Sequence, residues 1–270
     1  MYEEPYKWVE AVGNRRQYLD EQFTQGSPVV ALTYDSGILL LTVSKGTPKL
    51  YEIYDRLALG GMGHPADLGK IRFSLLEMAH VEGFNRSPSD VTGGRMVKYG
   101  IAPVIKQAFE EIFKAPFIAK ILLAELGQKA GKESLLVINY DGTFEEGAHC
   151  AVLAASKPAE RDMVAYLKQQ ASILPSLEQA CGIALRAWAL GDRSQRKTGE
   201  ATSDPSQETT QTPAAMDAES LYAHLRDSVP GKTIECALLD RSQSGSSKYR
   251  AVTTDELSRL LPKDTGIVLS

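Results

Sequence analysis

Two apolar runs, Pro28 to Tyr34 and Ile38 to Val43, flank Asp35-Ser36-Gly37, and a chain so patterned folds back on itself as an antiparallel hairpin. A second hairpin runs from Leu50 to Gly60 and turns at Tyr54-Asp55-Arg56. The glycine-rich Gly60-Gly61-Met62-Gly63 then leads into a helix with Pro65 in its first turn, where its missing N–H costs nothing. Leu68, Ile71, Leu75, Met78 and Ala79 form the helix's buried stripe, and Gly83 ends it. Ahead of the first hairpin, Pro5 to about Phe23 keeps Trp8, Val9, Val12, Tyr18 and Leu19 near helical spacing. That spacing predicts a leading helix with one apolar stripe, offered to its own body or to a neighbouring subunit.

A second helical region follows Asp90. Pro103 breaks or kinks it, and its better half presents Val104, Ala108, Phe109, Ile112 and Phe113 on one face. Strands return at Ile121 to Leu126, Leu135 to Tyr140 and Ala148 to Ala154, with Asp141-Gly142 as a tight turn. Two helices occupy Pro158 to Ile173 and Leu177 to Leu190, the second opened by a Ser176/Gln179 capping box. The chain closes on a hairpin, Thr233 to Asp240 with Tyr249 to Thr253, and a short helix capped by Thr254. Between Gly191 and Met216 the residues are mainly Ser, Thr, Gln, Glu and Pro, too polar to offset their own ordering entropy. They are expected to form a mobile insertion at about 192–216. Hairpins covered by helix pairs predict an α+β fold, a four-layer αββα sandwich of two antiparallel sheets. The expected organisation is a tail and leading helix over 1–26 and one domain over 27–270.

A formal net charge of -4 argues against general nucleic-acid binding, which needs a basic face. Cys150, Cys181 and Cys236 form no C-x-x-C pair and read as reduced thiols of a cytoplasmic protein. Met1-Tyr2-Glu3-Glu4-Pro5 lacks the basic-then-apolar pattern of a signal peptide. The longest apolar stretch, Val29 to Val43, is interrupted by Thr33 and Asp35-Ser36-Gly37, so no membrane span is expected. Gly60-Gly61-Met62-Gly63 lacks the Lys-Ser/Thr of a phosphate-binding loop and reads as a tight turn. His149 and Cys150 fall on opposite faces of a strand with no second Cys/His pair, so no metal is assigned, and no cofactor.

Gly26-Ser27, Lys49 and Gly63 are similarly placed to the nucleophile, its tuning lysine and a backbone oxyanion donor of N-terminal-nucleophile hydrolases. Such a nucleophile uses its own α-amine as base, yet Ser27 follows a long leader and precedes Pro28, which removes the next donor. The place of an acidic partner for the lysine falls near Val43. The leading helix into Gly26-Ser27-Pro28-Val29-Val30-Ala31-Leu32, then Lys49-Leu50-Tyr51-Glu52-Ile53-Tyr54-Asp55-Arg56, Gly63, Asp90-Val91-Thr92-Gly93 and Tyr140-Asp141-Gly142 resemble the proteasome α-type subunits, most of all the actinobacterial kind. The stretch from Gly94 to Pro103 is longer than in those relatives, and the N-terminus shorter than in archaeal α subunits.

The resemblance implies a non-catalytic subunit of a bacterial 20S proteasome. Its partners would be other α subunits in a homo-heptameric ring, proteolytic β subunits, unfolded protein substrates, and an ATPase regulatory ring that docks through its C-terminal tails. By motif position Lys49 takes the activator's terminal carboxylate, with Gly26, Gly63 and His64 beside it. Met1 to Tyr6 would precede the leading helix and close the pore, with Pro5 in the tail and Tyr2 and Tyr6 making shared contacts. Two competitors stay open: a β-type hydrolase matured at Gly26-Ser27, and a non-enzymatic assembly module of the same fold.

Overall fold

The computed structural model describes residues 4–111, 113–170, 174–200 and 218–262. The two predicted hairpins are present as β1 (Val29–Tyr34) with β2 (Gly37–Ser44), and β3 (Leu50–Tyr54) with β4 (Leu57–Gly63). The later strands are β5 (Ala119–Glu125), β6 (Ser134–Ile138), β7 (Phe144–Gly147), β8 (Cys150–Leu153), β9 (Thr233–Asp240) and β10 (Tyr249–Ala251). They form two five-stranded sheets, ordered β10-β9-β2-β1-β8 and β3-β4-β5-β6-β7. Each paired edge is antiparallel. Of the strand predicted over 148–154, residues 150–153 form β8 at the edge of the first sheet, while β7, which precedes it and was not predicted, finishes the second. Between β6 and β7 lies the expected turn, where Gly142 takes φ 80°, the left-handed region that glycine enters without a Cβ penalty.

The strands are apolar on both faces because both faces are covered. Val29, Ala31 and Leu40 face the opposite sheet and pack with Leu122 and Ala124, whereas Val30, Leu32, Leu39 and Leu41 face helices. The outer layer over the first sheet comes from α5 (Lys157–Gln170), α6 (Leu177–Glu200), α7 (Ala218–Ser228) and α8 (Thr254–Leu260), through Met163, Trp188, Leu225 and Leu257. Over the second sheet lie α2 (Pro65–Asn85) and a continuous helical stretch. That stretch comprises α3 (Gly93–Arg95), a π-helical segment (Met96–Ile101) and α4 (Ala102–Glu110). No described helix is long and apolar enough to cross a membrane.

The leading helix, α1 (Glu4–Phe23), divides its apolar residues between inside and outside. Leu19 and Phe23 are fully buried in the inter-sheet core and Val12 packs against it, while Trp8, Val9 and Tyr18 stay exposed. Burying the Leu19 and Phe23 side chains contributes roughly 1.5–3 kcal/mol each, so the helix is part of the body rather than a loose leader.

Several predicted boundaries are corrected. Pro103 neither breaks nor ends the helix; the register instead widens before it, with the Ala102 N–H donating to the Val97 carbonyl. A π-helical segment places an extra residue in the turn and rotates everything after it. The buried face of α4 is therefore Ala102, Ile105 and Phe109, whereas Val104 is 50% exposed and Phe113 99% exposed. Ile112 lies outside the described residues. The helix from Pro65 runs to Asn85 rather than to Gly83. Thr253, not Thr254, caps the last helix by accepting the Glu256 N–H. The helix predicted to end at Leu190 continues to Glu200, so the start of the expected insertion at 192 is helical, and 201–217 lie outside the described residues. The end of the helix predicted over 158–173 also lies outside them beyond Gln170. The capping box is present: the Ser176 N–H donates to Gln179 Oε1 at 3.0 Å, and the Gln179 N–H to Ser176 Oγ at 3.4 Å.

Candidate functional site

At one end of the sandwich the α1–β1 linker, the β2–β3 turn, the start of α2, the middle of α6 and the turn before β9 surround a cavity of about 510 Å³. Lys49 and Gly26 line it, as do Ser27 and Val43, so four positions singled out in the sequence come together. Lys49 heads β3, an edge strand. Its outward backbone is held from the other sheet: Glu235 Oε2, on β9, accepts the N–H of Lys49 at 2.8 Å and of Leu50 at 3.2 Å. On its other side the Lys49 carbonyl accepts the Gly61 N–H at 2.9 Å. Burial pushes the Lys49 ammonium pKa down; Glu235 opposes the shift, and Lys232 and Lys45 add to it.

Gly26 belongs to this wall for a steric reason. A Cβ there would lie 2.9 Å from the Phe23 carbonyl oxygen and 3.0 Å from the Met62 sulfur. With the Gln195 amide oriented to satisfy both its groups, its nitrogen donates to the Gly26 carbonyl and its oxygen accepts the Ala155 N–H, each at 2.9 Å. One α6 side chain thereby fixes the linker that forms the cavity wall.

Gly63 and His64 are placed beside the cavity rather than along it. Gly63 has φ 136°, and a Cβ would lie 2.0 Å from the Ile118 carbonyl oxygen. His64 donates its backbone N–H to that carbonyl at 2.8 Å, and its ring Nδ1 accepts the Ala66 N–H at 3.2 Å, capping α2. Their neighbour Pro65 is the residue that reaches the lining. Glu4 opens α1, so Pro5 and Tyr6 lie in its first turn instead of preceding it. Tyr2 lies outside the described residues.

Ser27 is engaged in the fold. Its Oγ accepts the indole N–H of buried Trp188, on α6, at 2.9 Å. A second set of hydrolase-like residue types, Ser228, His224 and Asp192, lies close by. Asp192 Oδ2 at 2.9 Å and Ser228 Oγ at 3.1 Å both meet the same imidazole nitrogen, Nε2. A catalytic triad uses the two nitrogens separately, so this group is a structural cluster. Burial alone would raise the Asp192 carboxyl, but the His224 hydrogen bond, Arg196 and Lys232 hold it below the usual range.

The cavity also contains residues that the sequence did not flag: Lys45, Arg196 and Lys232, with Asp192. Their assembly depends on the pairing of β2 with β9, which no local pattern announces.

No family model matches the chain. Curated relatives do. The chain is 29% identical over 187 residues to the proteasome subunit alpha of Saccharopolyspora erythraea, covering 68% of this chain and 71% of that one. It is 24% identical over 254 residues to the protein of that name from Nocardioides sp., covering 92% and 84%. A third, from Jonesia denitrificans, is 26% identical over 246 residues, covering 90% of this chain and 91% of its own. The resemblance read from the motifs therefore runs along most of the chain.

Proposed function

On the premise that this chain is an α-type proteasome subunit, we propose that it is the non-catalytic outer-ring component of a cytoplasmic 20S particle. In this reading it gates the passage of unfolded substrates to β subunits and takes the C-terminal tails of an ATPase ring at Lys49. The observation that carries the reading is Lys49 itself, a half-buried ammonium facing a cavity whose wall is the Gly26 linker. Burial makes the charge unfavourable, and an incoming carboxylate relieves it through a charge-assisted hydrogen bond worth roughly 1.5–3 kcal/mol. Capture of a terminal carboxylate against exposed backbone is a recurrent mode of peptide recognition. One pocket binds weakly; several engaged round a ring gain through effective concentration.

The non-catalytic part of the proposal rests on Ser27. Its hydroxyl accepts from Trp188, and its amine lies in the chain behind a helix whose Leu19 and Phe23 are core residues. Releasing that amine by cleavage would remove part of the core.

The test is Lys49→Ala in the assembled α–β particle. Hydrolysis of small peptides stays unchanged, while ATPase-driven degradation of folded substrates falls by about tenfold or more, as expected for the loss of roughly 1.5–3 kcal/mol at each pocket. Equal activator binding by wild type and variant would remove the pocket assignment.

A further inference from the structure

The cavity holds more positive charge than one peptide terminus matches. Lys45 follows the last residue of β2 and Lys232 precedes the first residue of β9. Ser44 pairs with Thr233, so the antiparallel register brings both lysines to one rim. Arg196 enters from α6, and Lys49 is the fourth cation. Two carboxylates stand against them. Asp192 is already engaged by His224 and, at 3.0 Å, by Arg196. Glu235 spends one oxygen on the backbone of Lys49 and Leu50, and its other oxygen is buried without a hydrogen-bond partner among the described residues. No described carboxylate lies within ion-pair distance of Lys45, Lys49 or Lys232.

Two formal positive charges remain in excess, and a terminal carboxylate cancels only one. Burial lowers the pKa of Lys232; Asp192 opposes the shift, and Arg196 and Lys45 add to it. Thr24, Gln25, Thr47, Val43 and Pro65 also line the cavity, and among the described residues the lining offers no aromatic face on which a nucleobase would stack. The groups present suit an extended peptide that brings its own acids.

Resting on tail capture at Lys49, we infer that the tail bound here is doubly anionic: its terminal carboxylate meets Lys49, and an acidic side chain close to that terminus meets Lys232 and Lys45. Lys232 and Lys45 are thereby specificity residues. They discriminate among tails that all end in a carboxylate.

The experiment uses the intact full-length protein and short fluorescent peptides read by anisotropy at moderate salt. Three peptides share one sequence: one has Glu next to the terminal residue, one has Gln there, and one keeps Glu but ends in an amide. The Glu peptide should bind wild type about three- to tenfold more tightly than the Gln peptide. In Lys232→Gln that ratio should shrink to within about twofold. Equal binding of the Glu and Gln peptides to wild type, with the amide weaker, would overturn this inference and leave the terminal-carboxylate pocket standing. Equal binding of all three would overturn both. The wild-type comparison decides the matter even where Lys232→Gln fails to fold.

Discussion

The indole nitrogen of Trp188 donates to the hydroxyl oxygen of Ser27 at 2.9 Å, joining the middle of α6 to the linker that enters β1. The bond occupies the very hydroxyl that a hydrolase would need as its nucleophile, and it makes Ser27 an anchor for a buried tryptophan. Ser27→Ala leaves that donor unpaired and should lower stability by about 1–2 kcal/mol in urea denaturation. Peptide hydrolysis by the assembled particle should not change, and intact mass should show the residues before Ser27 still attached. Lost hydrolysis with unaltered stability would favour the hydrolase competitor.

Gly63→Ala should be far more damaging than its size implies. The residue has φ 136°, and the new methyl would lie 2.0 Å from the Ile118 carbonyl oxygen, the acceptor of the His64 N–H. Backbone strain and steric conflict together should cost about 3 kcal/mol or more. A variant within about 0.5 kcal/mol of wild type, the ordinary range for a neutral surface change, would show that β4 and β5 can separate there without penalty.

Asp192 gives a pH-dependent prediction. Folding holds its carboxyl below the ordinary 3.8, because the His224 hydrogen bond, Arg196 and Lys232 outweigh burial. Its stabilising contribution is therefore complete above that ordinary value and fades as the pH falls through the lower folded value. Asp192→Asn should be less stable than wild type by about 1–3 kcal/mol at neutral pH, with the difference closing below about pH 4. Denaturant titrations across that range check it; a gap independent of pH would mean that the carboxylate's charge is irrelevant.

The gating reading is tested at the other end of α1. With Pro5 and Tyr6 in the first turn of the helix, deletion of residues 2–6 removes the segment before the helix together with part of its opening turn. On that reading hydrolysis of short peptides by the α–β particle should rise in the absence of activator, with cleavage preference unchanged. An unaltered basal rate in a correctly assembled particle would end the gating proposal.

What the sequence revealed was local. Asp35-Ser36-Gly37 and Tyr54-Asp55-Arg56 announced their hairpins because turn chemistry and apolar runs are adjacent. The face of α4 is only partly legible because the π-helical segment rotates the helix that follows it: Phe109 is buried as expected, but Ala102 and Ile105 are buried with it while Val104 is exposed. For α7 a helical stripe was available in Leu221, Tyr222 and Leu225, but the polar stretch before it obscured the change. Lys49, which lines the cavity, is singled out by the family motif. Lys232 is not, because its position beside Lys45 depends on a strand pairing between distant parts of the chain.

That pairing also governs how the molecule is made. β2 meets β9 along its full length, from Gly37 with Asp240 to Ser44 with Thr233. On the ribosome the first hairpin emerges long before β9 exists. Until residue 240 is free, the Ile38-Leu39-Leu40-Leu41 edge has unmet hydrogen-bonding groups and uncovered apolar side chains, a template for any other nascent strand. The earliest sheet to be started is thus among the last to be finished. A product terminated before β9 would expose that adhesive edge indefinitely, so premature stops should yield aggregates or chaperone-bound chains rather than a smaller working subunit.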